Sequence, residues 1–257
     1  MKKVKKMTFF KSLMVALSTY SIIPVPRFEW NEKNMKYAIC FFPVAGVICG
    51  ALVLVIARLG AYFSVFFASA LTVCIPLLVS GGIHMDGFMD TVDALSSHAP
   101  RDKKLEILSD PHTGAFAVIY MAVYLIMNMA LVYEVYSLGA LVTLCPVYIL
   151  SRSMSALCAV NMRSARENGM LSSYTKTARK ITVNITMPIV ALCSGIAMVI
   201  ISPVSGAFAI GMGLLWTLIY CIWVKKAFGG VTGDTAGFFL QIFELFCTFG
   251  IYLGVTI

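Results

Sequence analysis

Charged side chains are scarce in this chain. Asp, Glu, Lys and Arg make up 12% of its 257 residues, about half of the roughly 25% found in a soluble globular domain. That scarcity excludes a disordered protein, an ordinary nucleic-acid-binding domain and almost any soluble enzyme. Cysteine pairs with metal or redox spacing are missing as well. The eight cysteines all lie in apolar runs and no two are spaced as CxxC, so neither a zinc site nor a disulfide framework is expected. There is no internal repeat and no low-complexity tract. What fills the sequence is apolar: 60% of residues are hydrophobic, with a mean hydropathy of +0.88. The bilayer is the natural solvent for such a composition.

Seven stretches are long and apolar enough to cross a membrane, at 36–57, 61–80, 114–133, 138–160, 183–202, 205–224 and 236–257. The expected fold is therefore all-α, a polytopic helical bundle of about seven transmembrane helices. Met7 to Ile23 is apolar but interrupted by Lys11, Ser12, Ser18, Thr19 and Tyr20, which suits a retained N-terminal interfacial helix better than a signal peptide. No stretch reads as a separate soluble domain, so residues 1–257 are expected to form one membrane-embedded catalytic domain.

The connections alternate in length. Short turns are expected at Arg58–Gly60, Glu134–Ser137 and Pro203–Val204, and long segments at 1–35, 81–113, 161–182 and 225–235. Counting the first segment to residue 36, the long segments hold 8, 3, 5 and 2 of the 20 Lys and Arg. The net charge of +8 thus has a topogenic reading: positive residues stay inside, so the N-terminus and all long loops face the cytoplasm. No nucleic-acid partner is implied.

The most informative polar stretch is Gly81-Gly82-Ile83-His84-Met85-Asp86-Gly87-Phe88-Met89-Asp90-Thr91-Val92-Asp93. Asp86, Asp90 and Asp93 stand at i, i+4 and i+7, a stripe roughly 60° wide on a helix. Like charges so placed repel unless a cation sits among them, and an all-oxygen cluster suits Mg²⁺ or Mn²⁺ shared with phosphate oxygens. A solvated helix face is the competing reading. Asp110 and Asp234 stand where two long loops enter spans. The glycines before Asp234, Gly229, Gly230 and Gly233, could bring backbone amides near a phosphate, or simply punctuate the loop.

Glu244 and Arg152 lie inside spans, where ionisable groups are functional candidates by default; Arg152 could hold a phosphate or pair with an acid. Arg163, Arg166, Lys176, Arg179 and Lys180 form a basic loop, topogenic first and phosphate-attracting second. His84, His98 and His112 are candidate general bases, His84 foremost because it stands two residues before Asp86.

The long Gly-Asp string resembles the GGLHLDGLADTADG signature of cobalamin synthases, the adenosylcobinamide-GDP ribazoletransferases. Ser21 to Pro26, Phe42 to Gly46, Asp110 to Phe116, Ala165 to Gly169 and Gly229 to Asp234 extend the resemblance over nearly the whole chain. The chain departs from the family pattern at Ala94, His112 and Gln241, where Gly, Arg and an acidic residue are common. The resemblance implies that a hydroxyl of α-ribazole, or of its 5′-phosphate, attacks adenosylcobinamide-GDP and expels GMP, with Mg²⁺ required and Mn²⁺ a possible substitute. It assigns Asp86, Asp90 and Asp93 to the metal, with Asp110 or Asp234 as a further ligand. Arg166 and Arg152 would contact phosphate, and His84 or a carboxylate would take the hydroxyl proton. It also places the enzyme in a bacterial inner membrane with the active site facing the cytoplasm; a homo-oligomer is compatible with it.

Two other readings compete. A CDP-alcohol phosphotransferase shares the reaction type, but its D-x2-D-G-x2-A-R pattern is missing from the sequence. A divalent-metal transporter would place its site near the bilayer midplane, whereas these aspartates gather at one face.

Overall fold

A computed structural model describes residues 2–26, 28–29, 31–166 and 169–257, with side chains from Thr8 onward. Glu167 and Asn168 of the Ala165–Gly169 motif lie outside the described residues. Twelve α-helices are present among them: α1 (Lys2–Tyr20), α2 (Glu32–Met35), α3 (Phe42–Arg58), α4 (Val65–Ser80), α5 (Ile83–Ser96), α6 (Arg101–Ile107), α7 (Ala115–Ser137), α8 (Cys145–Asn161), α9 (Met170–Thr177), α10 (Lys180–Ile201), α11 (Pro203–Phe228) and α12 (Gly233–Thr256). No strand occurs among the described residues. One isolated parallel bridge joins Ser164 to Val231.

Six helical segments are long and apolar enough to cross a membrane, and the bent pair α4 and α5 raises this to seven. The bundle is thus the polytopic helical membrane protein that the hydropathy pattern predicts. α1 is not among the crossing helices; its Ser12 donates to the Asn34 carbonyl at 2.7 Å, which ties it to α2. Two expected turns are helical. Glu134–Ser137 is the last turn of α7, because no helix breaker occurs before Gly139, whose φ of 77° ends the run. Pro203 opens α11 at its first position and only Ser202 separates it from α10.

One apolar core runs through the bundle from Ile39 to Ile251 and includes Leu144, Tyr220, Phe239 and Phe243. The outer faces of α7, α10 and α11 expose Ile126, Ile200 and Ile222, as lipid-facing surfaces do.

The feature that sets the site is the break between α4 and α5. Gly81 and Gly82 have φ of 64° and 83°, a left-handed pair open to glycine at little cost, and the chain bends there by 91°. α4 alone spans 16 residues, about 24 Å of rise. α5 then leaves the direction of α4 and carries the three aspartates with it.

Candidate active site

α5 lies directly on the first turns of α12. A Cβ on Gly87 would sit 2.8 Å from the Asp234 carbonyl oxygen, and one on Gly237 would sit 2.8 Å from the His84 carbonyl oxygen. Two glycines therefore let the backbones touch, as small residues do where membrane helices pack closely. The spacing of Gly87 within the aspartate string gave no hint of this, and Gly237 was not singled out in the sequence at all. Gly237→Val should destabilise the protein by about 1–3 kcal/mol through overpacking. Gly211→Ala, where an added Cβ meets nothing within 4 Å, should leave thermal unfolding in detergent unchanged. Equal unfolding midpoints for the two variants would remove this contact from the account.

The close crossing brings Asp234 beside the α5 carboxylates. Asp90 is half-buried, with Asp86, Asp234 and Asp93 as like-charged neighbours and Arg166 as an opposing charge. Asp234 is held in the first turn of α12 by a reciprocal cap: Thr235 N donates to Thr232 Oγ1 at 3.1 Å, and Thr232 N donates to Thr235 Oγ1 at 2.8 Å. Arg166 Nη1 lies 3.8 Å from Asp234 Oδ2, and its Nη2 donates to the Leu105 carbonyl at 2.5 Å. The site thus gathers Asp86, Asp90 and Asp234 with one cation. Among the described residues no three His, Cys, Asp or Glu side chains converge tightly enough to hold an ion unaided.

Asp93 has other partners. Its Oδ2 accepts from Gly114 N at 2.5 Å and its Oδ1 from Ala117 N at 3.2 Å, so it caps the start of α7 from a neighbouring helix. Asp110 faces His112 instead of the other aspartates. It accepts from the His112 backbone N–H at 2.9 Å and pairs with the His112 ring at 2.7 Å, and these contacts hold its carboxyl below the usual range.

A chamber of about 270 Å³ opens beside Asp86 and Asp234, enclosed by α1, α3, α8 and α9 as well as α5 and α12. A smaller hollow of about 110 Å³ lies on the other side of Asp234, lined by Ser164, Arg166, Ser172, Thr232 and Gly233. The basic charge of Arg166 and the amide end of α12 make this hollow suited to an anion. Of Gly229, Gly230 and Gly233, only Gly233 lines these cavities. Gly229 (φ 77°) ends α11 and packs against the Arg101 guanidinium, and Gly230 abuts the backbone of Arg163 and Ala165.

His84 lines the chamber and is buried. Its Nε2 is buried without a hydrogen-bond partner. His98 sits in a turn with φ 51°, along an outer groove away from the aspartates.

Arg152 does not reach either cavity. It is 2% exposed and pairs with Glu244, while donating to the Tyr148 carbonyl and Ser151 Oγ, each at 3.0 Å. Ser151 in turn donates to Glu244 at 2.8 Å. The two intramembrane ions are partners of each other in an α8–α12 ion pair.

The same elements fix the chain's relationships. A family model described as cobalamin-5-phosphate synthase matches residues 12–252, from α1 through α12. Three similar proteins are each named adenosylcobinamide-GDP ribazoletransferase. The one from Lachnoclostridium phytofermentans is 39% identical over 241 residues, covering 93% of this chain and 92% of its own. The one from Clostridium botulinum Alaska E43 is 31% identical, covering 92% and 94%. That of Geobacillus kaustophilus is 32% identical, covering 89% and 90%. No solved structure matches the chain. The glycine-broken α4–α5 segment, the aspartates it carries and the capped start of α12 all fall within the matched span, and the chain belongs to the cobalamin-5-phosphate synthase family.

Proposed function

We propose that this chain is an adenosylcobinamide-GDP ribazoletransferase, closing the nucleotide loop of cobalamin from inside a bacterial membrane. A ribose hydroxyl oxygen of α-ribazole, or of α-ribazole 5′-phosphate, bonds to the phosphorus attached to cobinamide. The bond from that phosphorus to the bridging oxygen breaks, and GMP leaves with the electron pair. The products are adenosylcobalamin or its 5′-phosphate, GMP and a proton.

The observation that carries this reading is the meeting of α5 and α12. It sets Asp86 and Asp234 on the wall of a chamber, Asp90 beside them and Arg166 behind. Phosphoryl transfer asks mainly for positioning and for neutralised charge on the phosphate oxygens. Mg²⁺ fits these residues because it is commonly bound through one or two carboxylates plus substrate phosphates rather than in an all-protein cage. Asp86, Asp90 and Asp234 would hold it, and when bound it would supply Lewis-acid polarisation of the phosphoryl oxygens. Arg166 and the first-turn amides of α12 would bind the remaining phosphate charge. Asp86, Asp234 or His84, all lining the chamber, would accept the hydroxyl proton. The 18 of 20 basic residues that fall in the long segments support placing this face in the cytoplasm. Tyr20 packs both against the main core and against the smaller cluster of Val15, Met35 and Tyr174, which supports one catalytic domain over 1–257.

The test is incubation of detergent-purified protein with adenosylcobinamide-GDP, α-ribazole and Mg²⁺, with both products followed by chromatography. GMP and cobalamin should appear in equal amounts and only with the metal. GMP without cobalamin would mean hydrolysis, and no product, beside an active relative, would refute the assignment.

A further inference from the structure

Two cysteines that the proposed reaction does not use meet inside the bundle. Cys158 of α8 and Cys221 of α11, 63 residues apart in sequence, place their Sγ atoms 3.9 Å apart, about 2 Å beyond the length of a disulfide bond. Among the described residues no third His, Cys, Asp or Glu joins them to hold a metal ion, so the chemistry open to them is with each other. Cys158 is buried and Cys221 is partly exposed. Lys225 stands at i+4 from Cys221 on the same helix, the kind of cationic neighbour that reactive cysteines have.

The pair sits beside the chamber. α8 contributes Ser155, Ala156 and Ala159 to its wall, on either side of Cys158, and α12 contributes Asp234, Gly237 and Leu240. α11 in turn packs tightly on α12: a Cβ on Gly250 would sit 2.7 Å from the Ala209 Cα. Linking α8 to α11 therefore fixes α8 against α12 across the chamber. At about 270 Å³ the space is smaller than the roughly 300–1,000 Å³ of pockets for drug-sized ligands. On its far side the Tyr20 and Phe42 rings already pack at 4.1 Å between centroids. Admitting substrates thus falls to a parting of α8 from α12. Past the helix ends, Val231 N donates to the Arg163 carbonyl at 2.9 Å, a link that can open as a disulfide cannot.

We propose that Cys158 and Cys221 are a modification site, a dithiol that a two-electron oxidant of the peroxide class converts to a disulfide, clamping the chamber closed. Its effect on turnover rests on the reaction proposed above; the crosslink itself does not. The Cys221 sulfur attacks one peroxide oxygen, the O–O bond breaks and water leaves, giving a sulfenic acid. The Cys158 sulfur then bonds to the Cys221 sulfur, the S–O bond breaks, and a second water leaves with the Cys158 proton. Two thiols give up two electrons, and one peroxide becomes two waters.

The test treats the detergent-purified full-length protein with hydrogen peroxide, removes the excess with catalase, alkylates the remaining thiols and maps crosslinked peptides by mass spectrometry without reductant. A peptide pair joined through Cys158 and Cys221 should form, and dithiothreitol should release it. GMP release from adenosylcobinamide-GDP, α-ribazole and Mg²⁺ should fall about tenfold or more in the linked protein and return to within about twofold on reduction. Cys158→Ser and Cys221→Ser should each keep their untreated rate after peroxide. Either variant suffices if the other does not fold, since one sulfur cannot make the link. Equilibrium dialysis of radiolabelled α-ribazole and adenosylcobinamide-GDP, run on both states, reads the clamp without turnover, and binding of at least one should weaken about tenfold when linked. No Cys158–Cys221 link, a link that leaves rate and binding unchanged, or an equal loss of rate in a serine variant would each overturn the inference. Weakened binding in a linked protein that forms no GMP in either state would sink the proposed reaction and leave the clamp standing. No binding of either substrate by the reduced protein would sink both.

Discussion

Replacing Asp86 or Asp90 with Asn is expected to slow GMP formation about a thousandfold at limiting Mg²⁺. Asn preserves the shape and the possibility of hydrogen bonding, so the loss isolates the charge. Asp90 is half-buried with the Asp86 and Asp234 carboxylates as neighbours. A carboxylate so surrounded is stabilised by a divalent cation, and its amide has little to offer one. Part of the loss should return at saturating Mg²⁺, since a weaker site still fills. Asp93→Asn and Asp110→Asn serve as internal comparisons. Asp93 caps α7, so its variant should lose about 1 kcal/mol of stability and less than about tenfold in rate. Asp110, exposed beside His112, should tolerate Asn with near-normal turnover. Initial rates of GMP release across a Mg²⁺ series check the whole set. Near-normal rates for Asp86→Asn and Asp90→Asn at limiting metal would contradict the assignment.

The second large effect concerns folding. Glu244→Ala strands the Arg152 guanidinium among Tyr148, Ser151 and the apolar bundle interior. Breaking one partner of a buried ion pair costs about 3–5 kcal/mol, which corresponds to a fall of about 10 °C in Tm for a chain of this size. Replacing both partners, Arg152→Met with Glu244→Leu, removes the stranded charge and should restore most of the loss. Thermal unfolding in detergent, with the acceptor and donor KM values of whatever folds, separates this role from substrate binding. A Glu244→Ala protein as stable as the wild type, with a raised KM for the donor, would return Arg152 and Glu244 to the phosphate site.

How far the sequence reveals this arrangement depends on the range of the interaction. Most spans are legible because burial in lipid leaves an apolar signature; α7 runs on to its next breaker at Gly139, while the expected span 61–80 shortens to α4 behind its Ser64 cap. The aspartate stripe is legible as a helical face, yet its three members do different things. Asp86 and Asp93 share a face at seven residues' separation, about 10 Å along the axis, far enough to put Asp93 on the end of α7. A cap supplied by a distant helix leaves no local pattern. That Arg152 pairs with an acid is one reading its sequence allows, but choosing Glu244 requires knowing that α8 packs on α12. The aromatic chamber is the least legible part, since Tyr20, Phe42 and Tyr174 come from three separate helices and carry no shared motif.

The account's centre is a metal ion held jointly by the α5–α12 carboxylates and the donor's phosphates. Titration of Mn²⁺ into the detergent-purified protein, followed by electron paramagnetic resonance with and without adenosylcobinamide-GDP, reads that ion directly. The expected result is weak binding by the protein alone and tight binding once the donor is present. The tight binding should vanish in Asp86→Asn and Asp90→Asn and persist in Asp110→Asn. Mn²⁺ binding that is indifferent to the donor, or unchanged in the Asp86 and Asp90 variants, would contradict it.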